Sequence, residues 1–259
     1  IASITRLDNG ESQAILELEP EEITLFFGPE RERRQLVSLD QVPDQLIFAI
    51  LAAEDSRFYQ HHGFDPRGML RALYTNLRRG GIRQGGSTIT QQLAKSYFLT
   101  PTRTVVRKAK ELLMSLTMEV MYDKSDILEI YLNEIYLGQN ASVAISGVGE
   151  ASYFYFGKPV AELSLAEAAV IAGLIKGPNH YSPFMEKKRC QNRRNAVLQA
   201  MNKHRWISED ALQTALTSPI ETVDVTAYRK RAPYFIDHLS KQLTSLYSSE
   251  ALSSLGLSI

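Results

Sequence analysis

Gly85-Gly86-Ser87-Thr88-Ile89-Thr90-Gln91-Gln92-Leu93-Ala94-Lys95 carries the chain from a glycine turn into a helix. Thr88 and Gln91 stand three apart at the helix entry, the spacing of a capping box. The helix is therefore expected to start there, with Gln91, Gln92 and Lys95 on its first turns. Pro101 interrupts, and a second helix is expected from about Arg103 to Tyr122. At ~100° per residue, Arg103, Arg107, Lys110 and Glu111 fall within an arc of about 100°, opposite Val105, Ala109, Leu112, Leu113, Leu116 and Val120. The apolar stripe is expected to fix this helix to a core, leaving three cations and a carboxylate on the opposite face. A glycine turn, a run of hydroxyls and amides, and converging cations suit the oxygens of an anionic, hydroxyl-rich ligand such as a phosphate. Gly85-Gly86 lacks P-loop spacing and no dinucleotide pattern surrounds it, so nucleotide binding is not expected.

Just upstream, Glu54-Asp55 closes the apolar run Leu46 to Ala53. A carboxylate withdrawn from water on such a helix has its pKa raised by desolvation, which suits a general base. The same residue types also fit a structural carboxylate at a helix end, capped by Arg57 or His61. Adjacent His61 and His62 point in different directions on a helix and have no Cys or third His near them, so no metal site is expected.

The 259 residues hold enough chain for one large domain or one and a half small ones, and 29 basic residues balance 29 acidic ones. No global field draws nucleic acid, so any anion affinity must come from local clustering. Cys190 is the single cysteine and reads as a small, partly buried residue. The longest apolar runs, Leu46 to Ala53 and Ala168 to Ile175, are far shorter than the ~18–20 residues a membrane span needs. Starting at Ile1 instead of Met, the chain reads as an excised piece.

Residues 1 to about 40 read as strand and turn: a hairpin at Asp8-Asn9-Gly10, then strands around 14–18 and 25–27. After Pro43 the period becomes helical. A buried helix is expected to end between Phe58 and Gly63, and a second to run from Pro66 to Arg79. In and around the latter, Phe64, Met69, Leu70, Leu73, Tyr74, Leu77 and Ile82 alternate with Arg67, Arg71, Arg78, Arg79 and Arg83. Such a basic amphipathic segment suits either an anionic membrane surface or ordinary core packing. Further helices are expected from Ser125 or Asp126 through Tyr136, after the Ser164/Glu167 capping box, at about 187–204 and at 207–216. A docking helix is expected between Pro233 and Ile259.

Five ordered motifs then stand out: Glu54-Asp-x-x-Phe58-x-x-His61-x-Gly63; Gly85-Gly-Ser-Thr-Ile-Thr-Gln-Gln-x-x-Lys95; Arg107-Lys108-x-x-Glu111; Lys124-x-x-Ile127-x-Glu129-x-Tyr131-Leu-Asn133; and Leu163-Ser-Leu-x-Glu167 with Lys176-Gly177-Pro178. In this order, from about Leu46 to Pro183, the chain resembles the peptidoglycan glycosyltransferase (transglycosylase) domain of bifunctional class A penicillin-binding proteins. Its N-terminal stretch looks like the 1b-type subgroup. The stretch Ala141–Ser146 departs from the motifs, and its role stays open.

The resemblance implies a mainly α, lysozyme-like fold with a large head lobe, a small membrane-facing jaw at about 64–84 and a short N-terminal β segment. It implies three parts: a β-rich lead-in at 1–42, the glycosyltransferase domain at 43–220, and a connector at 221–259 toward an absent transpeptidase domain. The implied substrate is lipid II, polymerised with inversion at the anomeric carbon and a lipid pyrophosphate leaving group. Glu54 matches the general base and Glu111 the second carboxylate, as acid or as orienting group. Lys95, Arg103, Arg107 and Lys110 match the cations at the leaving group. Asp55, Phe58, Gly86, Ser87, Thr88, Gln91 and Gln92 match sugar and phosphate contacts. No cofactor is implied as required, although some members respond to a divalent cation, Mg or Mn. Implied partners are the growing glycan chain, the membrane surface and other cell-wall synthesis proteins, with no nucleic acid. The implied place is the outer (periplasmic or extracellular) face of the cytoplasmic membrane, and the phosphoglycolipid moenomycin is expected to compete for the cleft. Two other readings stay open: a lysozyme-like muramidase that hydrolyses glycan, and a non-enzymatic scaffold.

Overall fold

The computed structural model describes residues 4–5, 12–13, 32–78, 86–98, 104–140 and 143–223. The chain divides into two units, one of residues 1–29 with 228–259 and one of residues 30–227. In the first, β1 (Ile4–Thr5) and β2 (Ser12–Gln13) pair antiparallel. They flank Asp8-Asn9-Gly10 as a hairpin requires, though the turn itself lies outside the described residues. The strands expected at 14–18 and 25–27, the docking helix after Pro233, the far end of the jaw (79–85) and Arg103 also lie outside them.

The second unit is mainly helical. It opens with β3 (Glu32–Arg34) and α1 (Asp44–Glu54), the latter started by Pro43 and burying Leu46, Ala49, Ile50 and Leu51. The sequence puts the end of this helix at 58–63; it ends at Glu54. Asp55 leaves the helix at φ −154°, ψ 76°, and Phe58–Gln60 form a separate 3-10 turn. The break comes from tertiary demand, because the Asp55 carboxylate accepts from the backbone N–H of Ile89 (3.1 Å) and from His61 Nε2 (3.1 Å).

There follow α2 (Pro66–Arg78), α3 (Ile89–Phe98), α4 (Val105–Met121) and α5 (Lys124–Glu134). The Thr88 capping box forms as its spacing requires: Gln91 N donates to Thr88 Oγ1 (3.2 Å) and Thr88 N to Gln91 Oε1 (3.3 Å). Asp65 caps α2 by accepting from Gly68 N (2.9 Å). The sequence carries α5 through Tyr136, but the chain turns extended at Ile135. There β4 (Tyr136–Asn140) pairs antiparallel with β5 (Val143–Ser146), which in turn pairs parallel with β3. Val143–Ser146 thus forms the inner strand of a small sheet of order β3-β5-β4, while Ala141 and Ser142 lie outside the described residues.

The remaining elements are α6 (Val148–Phe156), α7 (Leu165–Leu174), α8 (Pro178–Tyr181), α9 (Lys187–Lys203) and α10 (Glu209–Thr217). Every residue of α7 from Ala166 to Leu174 except Glu167 is buried. Its alanines and Gly173 let α1 and α9 pack against it closely, making it the central helix. Arg194 on α9 is fully buried, yet its guanidinium donates to Ser218 O (2.6 Å) and Leu216 O (2.9 Å), the free carbonyls at the end of α10. Cys190 is buried as well, and burial pushes its thiol up to about 11.

The Glu129-x-Tyr131-Leu-Asn133 motif proves to be a tie between α5 and the segment ahead of α1. Asn133 accepts from Val37 N (2.9 Å) and donates to Val37 O (2.8 Å), while Glu129 accepts from Leu39 N (2.7 Å).

One expectation inverts. The apolar stripe of α4 does not face the core: Val105 and Val120 are each 88% exposed and Leu113 is 64% exposed, whereas Glu111 and Ser115 are buried. Glu119, on the inward side, accepts from Thr90 Oγ1 (2.5 Å) and Lys124 Nζ (2.8 Å). Periodicity reports that a helix has two unlike faces but not which one turns inward. Here the inward face is polar because it lines a cleft and its charges are paired.

Gly63 holds the loop between α1 and α2 against α4. Its φ is +73°, and a Cβ there would sit 2.8 Å from Ser115 O and 3.2 Å from Glu119 Cγ. Gly63→Ala is therefore expected to destabilise the protein by about 1–3 kcal/mol, through left-handed backbone strain and the clash. A chemical-denaturation midpoint unchanged from the parent's would contradict this.

Candidate active site

One cleft of about 590 Å³ gathers side chains from the end of α1, the start of α2, α3, the inward face of α4, the turn after α7, and α9. Its walls include Glu54, Asp55, Gly86, Ser87, Thr88, Gln92, Lys95, Arg107 and Glu111, all named from the sequence. The capping of α3 brings them together. Asp55 receives the first N–H of α3 and Thr88 Oγ1 donates to Gly63 O (2.7 Å), so the end of α1 and the start of α3 form one corner.

Glu54 sits in that corner. Its Oε2 accepts from Gln92 Nε2 (3.0 Å), and Arg193 Nη2 lies 3.8 Å from its Oε1. Burial raises its carboxyl above the usual value; the Gln92 hydrogen bond, Arg193 and Lys176 oppose the rise, and Asp55 adds to it. Tyr131 donates its hydroxyl to Gln92 Oε1 (3.3 Å), which turns the amide nitrogen toward Glu54. Burial first, then the negative charge of Glu54 and Asp55, hold the Tyr131 phenol far above its ordinary range, so it stays a neutral donor. Asp55 has no such freedom: with both oxygens occupied by Ile89 N and His61 Nε2, it anchors α3.

A second set surrounds Glu111, which is only 2% exposed. Arg107 Nη1 donates to its Oε2 (2.7 Å), and Lys108 Nζ donates to its Oε1 and to Ser87 Oγ (2.9 Å). Arg107 Nε is buried and finds no acceptor among the described residues. The set therefore holds converging, partly unspent donors, the arrangement an anion needs.

Three residues named from the sequence do not line the cleft. Phe58 is buried in the core, with Lys124 Nζ 4.2 Å above its ring; Gln91 is buried as the partner of Thr88; Lys110 is exposed. Arg103 lies outside the described residues. Five charged wall residues were not singled out as site residues: Asp65, Arg71, Lys108, Lys176 and Arg193. Lys108 and Lys176 stand inside quoted motifs and were readable there. Arg193 carries no local signal, because it reaches Glu54 only through the packing of α9 on α1. Among the described residues, no group of three or more His, Cys, Asp or Glu is placed to hold a metal ion.

A transglycosylase family model matches residues 20–202, most of the chain and all of this cleft. The chain belongs to the transglycosylase family. As such it is an enzyme of the glycosyl-transferring class. It is 42% identical over 226 residues to penicillin-binding protein 1B of Haemophilus influenzae, covering 87% of this chain and 29% of that protein. It is 39% identical over 240 residues to penicillin-binding protein 1B of Vibrio cholerae, covering 93% of this chain and 31% of that protein. Against penicillin-binding protein 1A of Escherichia coli it is 42% identical over 221 residues, covering 85% and 26%. The 2.6 Å crystal structure of penicillin-binding protein 1A from Haemophilus influenzae superposes with a TM-score of 0.52 at 27% identity, covering 86% of this transglycosylase chain and 22% of that one. The mainly helical fold is thus the family's. The chain spans about three tenths of the length of these curated relatives.

Proposed function

We propose that this domain polymerises lipid II into glycan strands. The observation that supports the reading best is the shared cleft. A desolvated carboxylate, Glu54, and cations from two helices, Lys95 on α3 with Arg107 and Lys108 on α4, face one cavity. Glu54 takes the proton from the 4-hydroxyl of the acceptor GlcNAc. The freed oxygen attacks the anomeric carbon of the terminal MurNAc of the growing chain, the bond to the lipid diphosphate breaks with inversion, and the diphosphate leaves with its electron pair. Cations stabilise that developing charge, so strong protonation of the leaving group is not needed. A muramidase has no diphosphate to hold, and for it these cations would serve no purpose. A stimulatory Mg or Mn ion would add to the same positive charge.

Glu111 acts in this reading as the orienting carboxylate. Both its oxygens already accept from cations, and protonating it would forfeit two charge-assisted bonds. The exposed Met69, Leu70, Tyr74 and Leu77 on α2 support a membrane surface as partner, with Arg67, Arg71 and Arg78 on the same helix. The place is then the outer face of the cytoplasmic membrane, with a transpeptidase domain and other cell-wall proteins as partners. Among the described residues, no helix is long and apolar enough to cross a membrane.

Incubation with lipid II should yield long glycan strands, suppressed by moenomycin; net shortening of added glycan would overturn the synthase reading in favour of the muramidase. Within α4 the cleft uses Lys108 and not Lys110. Lys108→Met is expected to lower kcat by about 10²-fold, as loss of a charge-stabilising donor does. Lys110→Met should stay within about twofold, as a surface substitution does. Equal losses in steady-state polymerisation assays would contradict the assignment.

A further inference from the structure

Arg193 is held in a way that a solvated surface arginine is not. Its side chain is 16% exposed, although it belongs to a helix whose other basic residues are mostly exposed. Nε donates to Gly173 O (3.3 Å), a carbonyl in the last turn of α7 that has no partner further along its own helix. The negative end of that helix favours a cation at this point. The guanidinium also lies 5.9 Å from the centre of the Tyr181 ring, within cation–π range. Pinned from two sides, Arg193 places Nη2 3.8 Å from Glu54 Oε1, while Gln92 holds Oε2.

We propose that Arg193 is a positioning residue for Glu54: clamped by the end of α7 and the Tyr181 ring, it fixes the carboxylate's orientation and sets the pH at which Glu54 becomes a working base. The inference rests on the reading of Glu54 as the base. At 3.8 Å the pair is an electrostatic contact, not a tight salt bridge, so Oε1 keeps a lone pair for the incoming proton. The other charged or titratable groups around Glu54 are Lys176 from the turn after α7, Asp55 from its own helix end, and Tyr131 from α5. Only Arg193 is tied to the packing of α7 against α9.

The test is the pH dependence of lipid II polymerisation. Arg193→Gln should move the acid limb of kcat/KM upward by about one pH unit. The rate below the limb falls about tenfold, the rate on the alkaline plateau stays near the parent's, and KM for lipid II changes little. Arg193→Lys keeps a charge but loses the Nε donor, and should restore part of the shift. Gly173→Ala keeps the guanidinium; its Cβ would lie 3.0 Å from Arg193 Cγ, so displacing the side chain should move the limb the same way by less. An unmoved limb in both Arg193→Gln and Gly173→Ala overturns the proposal, as does a raised KM with the limb in place, which would make Arg193 a substrate contact. A side-chain carboxyl NMR titration of Glu54 in the parent and in Gly173→Ala reads the same shift without substrate. If Glu54→Gln polymerises lipid II normally, the base reading itself fails, whatever Arg193 does.

Discussion

Glu54→Gln should slow polymerisation by about 10²–10⁴-fold, the range expected when a general base is lost, without lowering the thermal midpoint at pH 7. The two halves of this result have one cause. Burial is the largest influence on the Glu54 carboxyl and raises it above 4.5, despite the opposing Gln92 hydrogen bond and the cations Arg193 and Lys176. A group raised in the folded state contributes stability that is present below its unfolded value and is lost as pH rises through its folded value. At pH 7 the ionised carboxylate is therefore a burden on the fold, and an isosteric amide relieves it. The variant's midpoint should equal or exceed the parent's at pH 7, and the difference should vanish as pH falls below about 4.5. Calorimetry across that range with steady-state kinetics on the same samples would show it. A variant that polymerises at the parental rate removes Glu54 from the chemistry. One that is inactive and also much less stable at pH 7 makes it structural.

Glu111→Gln is expected to cost about 10²–10³-fold in kcat, and here stability should fall too. Glu111 is buried between Arg107 and Lys108, and removing the anion leaves two cations facing each other. Lys108 is 43% exposed on its side chain, which softens the repulsion, so about 1–3 kcal/mol is the expected loss. The pH profile separates the two roles the residue could play. An orienting carboxylate leaves the alkaline side of the profile shaped as in the parent, at a lower rate. If the parent instead loses rate at high pH and that loss disappears in the variant, Glu111 donates a proton and the orienting role fails.

Much of this site was legible in advance because its parts are local. The Thr88/Gln91 and Ser164/Glu167 boxes follow from side chains bonding backbone a few residues away, and such spacing is written directly in the chain, whereas the break of α1 at Asp55 rests on Ile89, 34 positions further on. The hairpin β4–β5 was not legible. Gly138-Gln139-Asn140 carries no strand alternation, and only the pairing of β5 with β3, more than a hundred positions earlier, makes strand the better state. The α4 wheel shows a subtler failure. It found two faces and assigned the apolar one to the core, and it selected Lys110 over Lys108 for the same reason.

Residue order was enough to declare a helical chain of a known family and to pick out an acid and a set of cations. Motifs and caps depend on neighbours within one or two turns, and no folding is needed to read them. Which way α4 faces, which of its lysines meets Glu111, and that Arg193 reaches Glu54 were decided by packing alone. Each depends on groups brought together from distant parts of the chain, where burial and charge pairing, not spacing, select the arrangement.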